Sequence, residues 1–330
     1  MVKTSIVFDY SAYAFYAGRS LRDFYLDKQA AWEINEAARE CIRRTFGWET
    51  GIRMPYLAYA SLTALGTEIV YPPDGQPMVA RPIVGSPADL NRLPTVDEDR
   101  ITAVGAMPHF IDVWRYLCER EGKEVMLGLG NEGPITAAML VRGQDFMMDV
   151  MDDPAFVHRL LKRLSELFVK FQRGLRKFLG RPAIGGGAGM ADDFAGMLSP
   201  AQYAEFVVPY YNFIYESLGA ERRDLHSELL RPDHLPLLAD FKLNHFDPHT
   251  DQYLTVRQMV ERMPPGISWN WRVLTCNVVT GTPAMLRKEF QDAVRDGATE
   301  FQVAVSAPVK ADNVKAVADV AARYGKVTIS

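Results

Sequence analysis

The sequence predicts an α/β protein, a single (β/α)8 TIM barrel with an N-terminal helical extension. From about residue 121 to the end, short β-rich runs alternate with helical segments, as parallel strands joined by crossover helices do. The length of 330 residues suits one such barrel. The first 120 residues show mainly helix and loop patterns. We therefore expect one domain over residues 1–330, with regular β/α repeats over 121–330.

Local signals mark where the predicted helices begin and end. Residues 28–46 have helical spacing of apolar residues and stop at Gly47. The segment DDP places Pro154 in the first turn of a long amphipathic helix, where proline is favoured. Ser199, with a proline behind it, is a good N-cap. The predicted helices cover 28–46, 104–121, 134–148, 154–179, a segment that begins after Ser199, 232–239, 254–263, 283–296 and 310–324.

Short runs with the character of β-strands separate these helices. EVMLGLG at 124–130 is apolar, and RPAIGGGAGM at 181–190 leads into a glycine-rich turn. Five more runs follow, in the order RRDLHSE, FKLNHF, ISWNWRVLTCN, TEFQVAVS and KVTIS. This number of strands, over this length, favours a closed eight-stranded barrel over a doubly wound sheet.

Composition and charge exclude several classes of protein. The chain is 48% apolar, has a net charge of −4 and scatters its 37 basic residues, which argues against nucleic acid as the main partner. No stretch approaches 18 uninterrupted apolar residues, and the N-terminus does not resemble a signal peptide, so we expect no membrane association. Three widely spaced cysteines form no disulfide framework. We expect a cytoplasmic protein with reduced thiols.

Four of the six histidines lie between residues 224 and 249, among several acids. His226 and Glu228 stand two residues apart at the end of RRDLHSE, so in an extended chain both point the same way. His245 and Asp247 repeat this arrangement at the next strand end. The carboxyl ends of barrel strands carry the chemistry, so we expect these side chains to share one rim.

Imidazole, carboxylate and thiolate groups at such a rim are the donors that zinc prefers. The sequence therefore predicts a metal site formed by His226, Glu228, His249 and Cys276, the last near the end of a predicted strand. We expect catalytic roles for His226, Glu228 and Asp247.

Each of these residues also has a structural interpretation. His249 in DPHT suits a turn, and a free cysteine such as Cys276 is most often a small buried residue. His245 suits a hydrogen-bonded position in the barrel wall. His234 follows RPD at a predicted helix start, where we expect it at the surface rather than on a metal.

Several segments resemble the uroporphyrinogen decarboxylase superfamily. They are GNEGPITAAMLVRGQDFMMDVMDDPAFVHRLLKRL, ADDFAGMLSPAQYAEFVVPYY, TCNVVTGTPAML and SAPVKADNVKAVADVAARYG. The resemblance covers residues from about 125 to the end, with weaker likeness in GRSLRDFY and LTALG upstream. It implies a (β/α)8 barrel and one of two chemistries, decarboxylation of a tetrapyrrole or cobalamin-dependent methyl transfer.

This chain differs from both branches of the superfamily at positions that match their substrate-binding or zinc-binding motifs. For decarboxylation, Arg19 matches the second arginine of the family motif, but Phe15 occupies the place of the first, and the expected aspartate before ALG is missing. The methyltransferase branch takes zinc from His-x-Cys and a late cysteine. Here Glu228 follows His226 in place of the first cysteine, and Ser306 or Ala307 occupies the place of the late cysteine. A harder site of nitrogen and oxygen suits an ether or alcohol oxygen better than a thiol.

The resemblance therefore implies a methyltransferase that takes a methyl group from a small donor, such as a methoxylated aromatic, by O-demethylation. The acceptor is the Co(I) cobalamin of a partner corrinoid protein, since no D-x-H-x-x-G cobalamin loop is present here, and zinc would assist. A metal-dependent lyase or decarboxylase, or a non-catalytic barrel that binds a tetrapyrrole or corrinoid, are the alternatives. Members of the superfamily often pair through a barrel face, which leaves a homodimer open. The predicted substrate-binding residues are Asn131, Asp192, Asn270, Trp271 and Arg19.

Overall fold

Most strands of the structure are parallel, and the helices and the candidate site are arranged around them. The computed structural model describes residues 1–130, 132–249 and 253–330, so the predicted substrate residue Asn131 lies outside the described residues. The strands of the described ranges are β1 (Val2–Phe8), β2 (Ile69–Val70), β3 (Met78–Val79), β4 (Gly187–Ala191), β5 (Arg222–His226), β6 (His245–Asp247), β7 (Ser268–Trp269), β8 (Trp271–Arg272), β9 (Glu300–Val305) and β10 (Gly325–Ile329).

Two parallel sheets form one continuous arc. The first has the order β10-β1-β9-β8 and the second β4-β5-β6-β7, while β2 and β3 form a separate antiparallel pair. Asn270 is the only residue between β7 and β8, and its N–H donates to Phe246 of β6, so one extended segment joins the two sheets. The isolated parallel bridge between Glu132 and Ala191 extends the arc beyond β4. The α/β class with parallel strands is confirmed, although pairing within the described ranges does not close the arc into a ring.

Helices pack on the arc and connect its strands. The α-helices are α1 (Tyr10–Ala17), α2 (Leu21–Leu26), α3 (Lys28–Phe46), α4 (Ala60–Thr63), α5 (Met107–Glu121), α6 (Pro134–Arg142), α7 (Asp145–Asp152), α8 (Pro154–Phe178), α9 (Pro200–Phe206), α10 (Val208–Ser217), α11 (Val256–Arg262), α12 (Thr275–Thr280), α13 (Pro283–Arg295) and α14 (Ala311–Tyr324). Four 3₁₀ helices of the described ranges cover Pro87–Arg92, Glu98–Ala103, Asp193–Met197 and Leu235–Phe241. None of the helices within these ranges is long and apolar enough to cross a membrane.

Helices with strong end signals lie where the sequence predicts them. Helix α3 covers the predicted 28–46 and ends at Gly47, which has φ of 72° in the left-handed region that glycine tolerates. Asp153 caps α8 by accepting the N–H of Phe156, with proline in the first turn. The single helix predicted for 134–148 is instead α6 and α7, which are separated at Gly143.

Two predictions about strands are wrong in detail. Among the described residues, the run 124–130 forms one parallel bridge, between Leu129 and Leu57, and no longer strand. A Cβ at Gly130 would stand 2.1 Å from the Tyr56 hydroxyl. The N-terminal part is not purely helix and loop either, because β1 pairs with both β9 and β10 in the middle of its sheet.

The apolar core lies between the sheets and the helices. On β5 and β6, Leu225 and Phe246 face the helices and are buried, whereas His226 and Asp247 face the inside of the arc and are partly exposed. The same alternation appears on β9, where Phe301, Val303 and Val305 are buried and the intervening residues are half-buried. The inner face of the arc is therefore accessible along its strands.

We expect Gly174→Ala to destabilise the protein although alanine is the better helix former. Gly174 lies inside α8, where a Cβ would stand 2.1 Å from the carbonyl oxygen of Glu98 and 2.6 Å from Ile101. The overpacked side chain should cost about 1–3 kcal/mol in the free energy of unfolding, measured in urea. Gly51→Ala is the control, because a Cβ there meets nothing within 4 Å. Equal stability of the two variants would contradict close packing at Gly174.

Candidate functional site

Three of the four predicted metal ligands come together at the ends of β5 and β6. His226 ends β5, Glu228 follows two residues later, and His249 follows β6 by two residues. One donor atom from each of them lies within 4.8 Å of the others. His249 Nδ1 contacts Glu228 Oε1, and the His226 and His249 rings lie 5.1 Å apart at 72°. We call these three residues the His–Glu–His cluster.

Backbone geometry brings the ends of two strands to one point. His226 pairs in register with Asp247, so the two strands end side by side. The chain then turns sharply: Leu229 and His249 have φ of 64° and 55°, values that residues other than glycine seldom adopt. Two backbone N–H groups fix these turns, since Glu228 donates to Asp193 Oδ1 at 3.1 Å and His249 donates to Asp247 Oδ1 at 3.0 Å.

Asp247 orients His226 and is not itself in the cluster. Its Oδ2 lies 2.9 Å from His226 Nδ1. Arg272 binds both carboxylate oxygens, with Nε at 3.1 Å from Oδ1 and Nη2 on Oδ2, while Asn270 Nδ2 donates to Oδ1 at 3.0 Å. Because Nδ1 of His226 is hydrogen-bonded to Asp247, its other ring nitrogen, Nε2, is the one left for the cluster. Carboxylates commonly orient metal-binding histidines in this way.

The charged groups around Asp247 and Glu228 favour the ionised forms of these two acids. Burial opposes charge on Asp247, but its hydrogen bonds and ion pairs with His226 and Arg272 hold the pKa of that carboxyl well below its usual range. Burial also acts against the charged form of His226, yet Asp247 and then Asp193 raise its pKa. The hydrogen bond from His249 lowers the pKa of Glu228. Asp247 and Glu228 are therefore carboxylates at neutral pH.

Asp193 borders the cluster, and Glu132 lies two strands away on the same face of the sheet. Asp193 Oδ1 lies 3.6 Å from His226 Nε2, and burial raises the pKa of this carboxyl. Glu132 is 9% exposed, and its Oε2 finds no hydrogen-bond partner among the described residues. Burial, followed by the charges of Asp193 and Asp192, raises the pKa of Glu132 well above its usual value. Neither acid was singled out on its own in the sequence.

The predicted substrate residue Asp192 instead caps a helix. Its carboxylate accepts the N–H groups of Ile135 at 3.1 Å and Thr136 at 2.6 Å, in the first turn of α6. The side chain is fully buried, and burial raises its pKa to about 6. Gly133 must lack a side chain here, because a Cβ would stand 2.4 Å from Asp192 Oδ2. These contacts assign Asp192 a structural role.

Asn270 and His245 form hydrogen bonds that hold the Asp247 carboxylate in place. Asn270 is 6% exposed and uses its amide nitrogen for Asp247 and its oxygen for His245 Nε2, at 3.0 Å. His245 Nδ1 lies 2.9 Å from Ser268 Oγ. His245 is therefore the hydrogen-bonded wall histidine of our alternative interpretation, and Asn270 holds Asp247 rather than facing an open pocket.

Other predicted site residues lie away from the cluster. Trp271 stands between Asn270 and Arg272 on an extended segment, so it faces the opposite side and lines a groove of about 730 Å³ with residues of α11 and α13. Arg19 is exposed and pairs with Asp23 at 3.8 Å and Glu33 at 3.3 Å.

The prediction that Cys276 ends a strand is wrong. The extended segment stops at Arg272, and Cys276 lies exposed in the first turn of α12. His234 is not at the surface as expected, because it is 1% exposed and its Nε2 hydrogen-bonds Leu198 O at 2.8 Å. It has no place in the cluster.

Sequence reasoning missed Arg272, Asp193 and Glu132. Arg272 follows Asn270 by two residues, and the alternation of an extended chain places both on the face that carries Asp247. Asp193 is the second acid of the ADDF segment. Glu132 follows the apolar run 124–130 in GNEGP, where an acid at a strand end was a usable signal.

A solved structure of a methyltransferase shares this fold. A methyltransferase from Methanosarcina mazei aligns with a TM-score of 0.72 over 98% of this chain and 92% of that chain, at 17% identity. TcOYE with pHBA aligns over 94% of this chain and 83% of that chain at 10% identity, with a TM-score of 0.33. No curated protein matches the sequence significantly.

The sequence itself matches one protein family over most of its length. Residues 12–323 match the family described as Uroporphyrinogen decarboxylase (URO-D). The match spans the strand ends that carry the His–Glu–His cluster, Asp247 and Arg272. The chain belongs to the uroporphyrinogen decarboxylase (URO-D) family.

Proposed function

We propose that this protein is a zinc-assisted methyltransferase that moves a methyl group from a small donor to the Co(I) corrinoid of a separate protein. The observation that carries the proposal is the His–Glu–His cluster, whose three donor atoms lie within 4.8 Å of one another. Membership of the URO-D family and the fold shared with a methyltransferase from Methanosarcina mazei support it. In the same proposal the arc of strands closes into an eight-stranded barrel, and the cluster lies at its C-terminal rim.

The donor set of the cluster fits zinc. Two imidazoles and one carboxylate form a three-residue set of the kind that leaves a fourth position open in catalytic zinc sites. Asp247 supplies the outer hydrogen bond to His226, and Arg272 in turn holds Asp247. Cys276 does not contribute, because it lies on α12 outside the cluster. A site of nitrogen and oxygen suits a donor oxygen better than a thiol.

An aryl methyl ether, such as a methoxylated aromatic, is the donor class that this chemistry favours. When bound at the cluster, zinc would polarise the ether oxygen and so weaken its bond to the methyl carbon. As that bond breaks, the oxygen keeps the electron pair and needs a proton, while the methyl group passes to the corrinoid. Asp193 is the residue that we assign to supply the proton, since it lies 3.6 Å from His226 Nε2 and burial raises its pKa.

The sequence predicts a catalytic role for Asp247, and this assignment makes it a positioning residue instead. An acid catalyst must hold a proton near neutral pH, but Arg272 and His226 keep Asp247 ionised. Asp247 therefore positions His226. His249 contacts Glu228 within the cluster, so we assign it to the metal rather than to proton transfer.

A direct assay tests the reaction. Purified protein, zinc and cob(I)alamin are incubated with methoxybenzenes, and the change in the cobalamin absorption spectrum reports methyl transfer. Transfer that depends on His226 supports the proposal. Turnover of a substrate without any need for cob(I)alamin would favour a metal-dependent lyase or decarboxylase. Corrinoid binding without turnover would favour a non-catalytic barrel.

We expect the wild-type protein, purified without chelators, to contain close to one zinc per chain by mass spectrometry. His226→Ala, Glu228→Gln and His249→Ala each remove one donor of the cluster, so each should lose most of the metal. Cys276→Ser is the matched control and should keep it, because its thiol is outside the cluster. Loss of zinc from the Cys276 variant alone would contradict the assigned ligand set.

We expect Asp247→Asn to weaken zinc binding by about 10–100-fold, the usual cost of losing an outer hydrogen bond. Asp247 raises the pKa of His226, so the variant should also titrate His226 at lower pH by NMR. Because His226 must lose its proton to bind metal, zinc affinity should rise with pH through the pKa of this histidine. Asp224→Asn on β5, which pairs with Arg222, serves as the control. An unchanged His226 titration would disprove the coupling.

A further inference from the structure

A series of hydrogen bonds links His245 to His226 of the His–Glu–His cluster. His245 Nε2 lies 3.0 Å from Asn270 Oδ1, and Asn270 Nδ2 lies 3.0 Å from Asp247 Oδ1. Asp247 Oδ2 lies in turn 2.9 Å from His226 Nδ1. His245 and Asp247 stand two residues apart on β6, or about 7 Å along the strand, and the Asn270 amide bridges this interval. Two side chains therefore separate the two histidines and connect them.

The charge of Asp247 fixes the direction of each bond in this series. A carboxylate only accepts hydrogen bonds, so Asn270 must turn its NH₂ group toward Asp247 and its carbonyl oxygen toward His245. The amide oxygen is also only an acceptor, so Nε2 of His245 must carry a proton. The opposite orientation of Asn270 would place two acceptor oxygens against each other at hydrogen-bonding distance.

The other ring nitrogen of His245 has a donor that suits this tautomer. Nδ1 lies 2.9 Å from Ser268 Oγ, and Ser268 pairs in register with His245. The same hydroxyl lies 3.0 Å from the carbonyl oxygen of Asn244, but that oxygen also accepts the backbone N–H of Ser268 at 2.9 Å. The hydroxyl can therefore donate to His245 Nδ1 without leaving the carbonyl unpaired. A neutral ring with its proton on Nε2 satisfies every group of the series.

The nearest acid on the neighbouring strand does not compete for His245. Asp224 of β5 pairs in register with His245, but its Oδ1 accepts a hydrogen bond from Arg222 Nε at 2.9 Å. Among the described residues, the side chains that hydrogen-bond the His245 ring are Ser268 and Asn270. The Nε2 proton is therefore directed to Asn270.

We propose that His245 is a positioning residue for the cluster, because its Nε2–H holds the Asn270 amide in the orientation that lets Asp247 orient His226. This inference rests on the proposed function, since it takes His226 as a ligand of the proposed zinc. Without a donor at the position of Nε2, the Asn270 amide is free to rotate. Its oxygen would then face Asp247 Oδ1 and turn the carboxylate away from His226.

Two matched variants separate the two nitrogens of His245. His245→Gln keeps an amide N–H near the position of Nε2 and can still donate to Asn270, whereas His245→Asn keeps only a group near Nδ1. Arg272 and the backbone N–H of His249 still hold Asp247 in both variants, so the effect should equal about one hydrogen bond. We expect His245→Asn to weaken zinc binding about fivefold and His245→Gln by less than about twofold.

Competition of the full chain with a chelator of known affinity for zinc measures this difference. Equal losses in the two variants, or no loss in either, would overturn the proposal. His158→Asn is the control, because His158 lies on α8 and hydrogen-bonds Tyr210 of α10, and it should bind zinc as the wild type does.

A double-mutant cycle tests whether the effect passes through Asn270. In the Asn270→Ala background, His245→Asn should have no further effect on zinc affinity, because the connection is already broken. A fivefold loss that persists in this background would show that His245 acts by packing, which would contradict the proposed role.

NMR of the zinc-free protein separates this inference from the proposed function. Nitrogen chemical shifts report which ring nitrogen carries the proton, and we expect Nε2 for His245 and, at a pH where the ring is neutral, Nδ1 for His226. His245→Asn should lower the share of the Nδ1–H form of His226, and His245→Gln should not. A proton on Nδ1 alone of His245, or a His226 ring unaffected by His245→Asn, would refute the positioning role. If these shifts appear but the protein binds no zinc, the metal site is refuted and the positioning role stands.

Discussion

Four groups converge on the Asp247 carboxylate: the His226 ring, the Arg272 guanidinium, the Asn270 amide and the backbone N–H of His249. They come from β5, from the extended segment that joins β7 to β8, and from the turn after β6. A buried carboxylate is costly unless it is fully paired, so these contacts are needed to keep it charged. In return, the charge fixes the orientation of His226 and the turn that carries His249. The geometry of the cluster therefore depends on this one ion.

Parallel register transmits that geometry across the arc. Because Glu132, Ala191, His226 and Asp247 occupy one row, a group at one end of the row has a defined distance from a group at the other. The chain places paired charges at one end and an unpaired buried acid at the other.

Sequence patterns were informative where the physical cause is local. Caps and terminators predict α3 and α8 because capping involves residues three or four positions apart. The His226–Glu228 pair was predictable from strand alternation and its position at a strand end. The prediction that Cys276 lies near a strand end was wrong, because the sequence does not show where the extended chain stops. It stops at Arg272, and a helix begins at Thr275. The contact between Asp247 and Arg272 joins residues 25 positions apart, so only the sheet pairing reveals it.

X-ray absorption at the zinc edge of the zinc-loaded full chain tests the central claim most directly. The account predicts a shell of nitrogen and oxygen donors near about 2.0–2.1 Å with imidazole scattering from two histidines. The spectrum of His226→Ala should show one imidazole fewer. A sulfur donor near about 2.3 Å, or a spectrum unchanged by the loss of His226, would contradict a cluster of His226, Glu228 and His249.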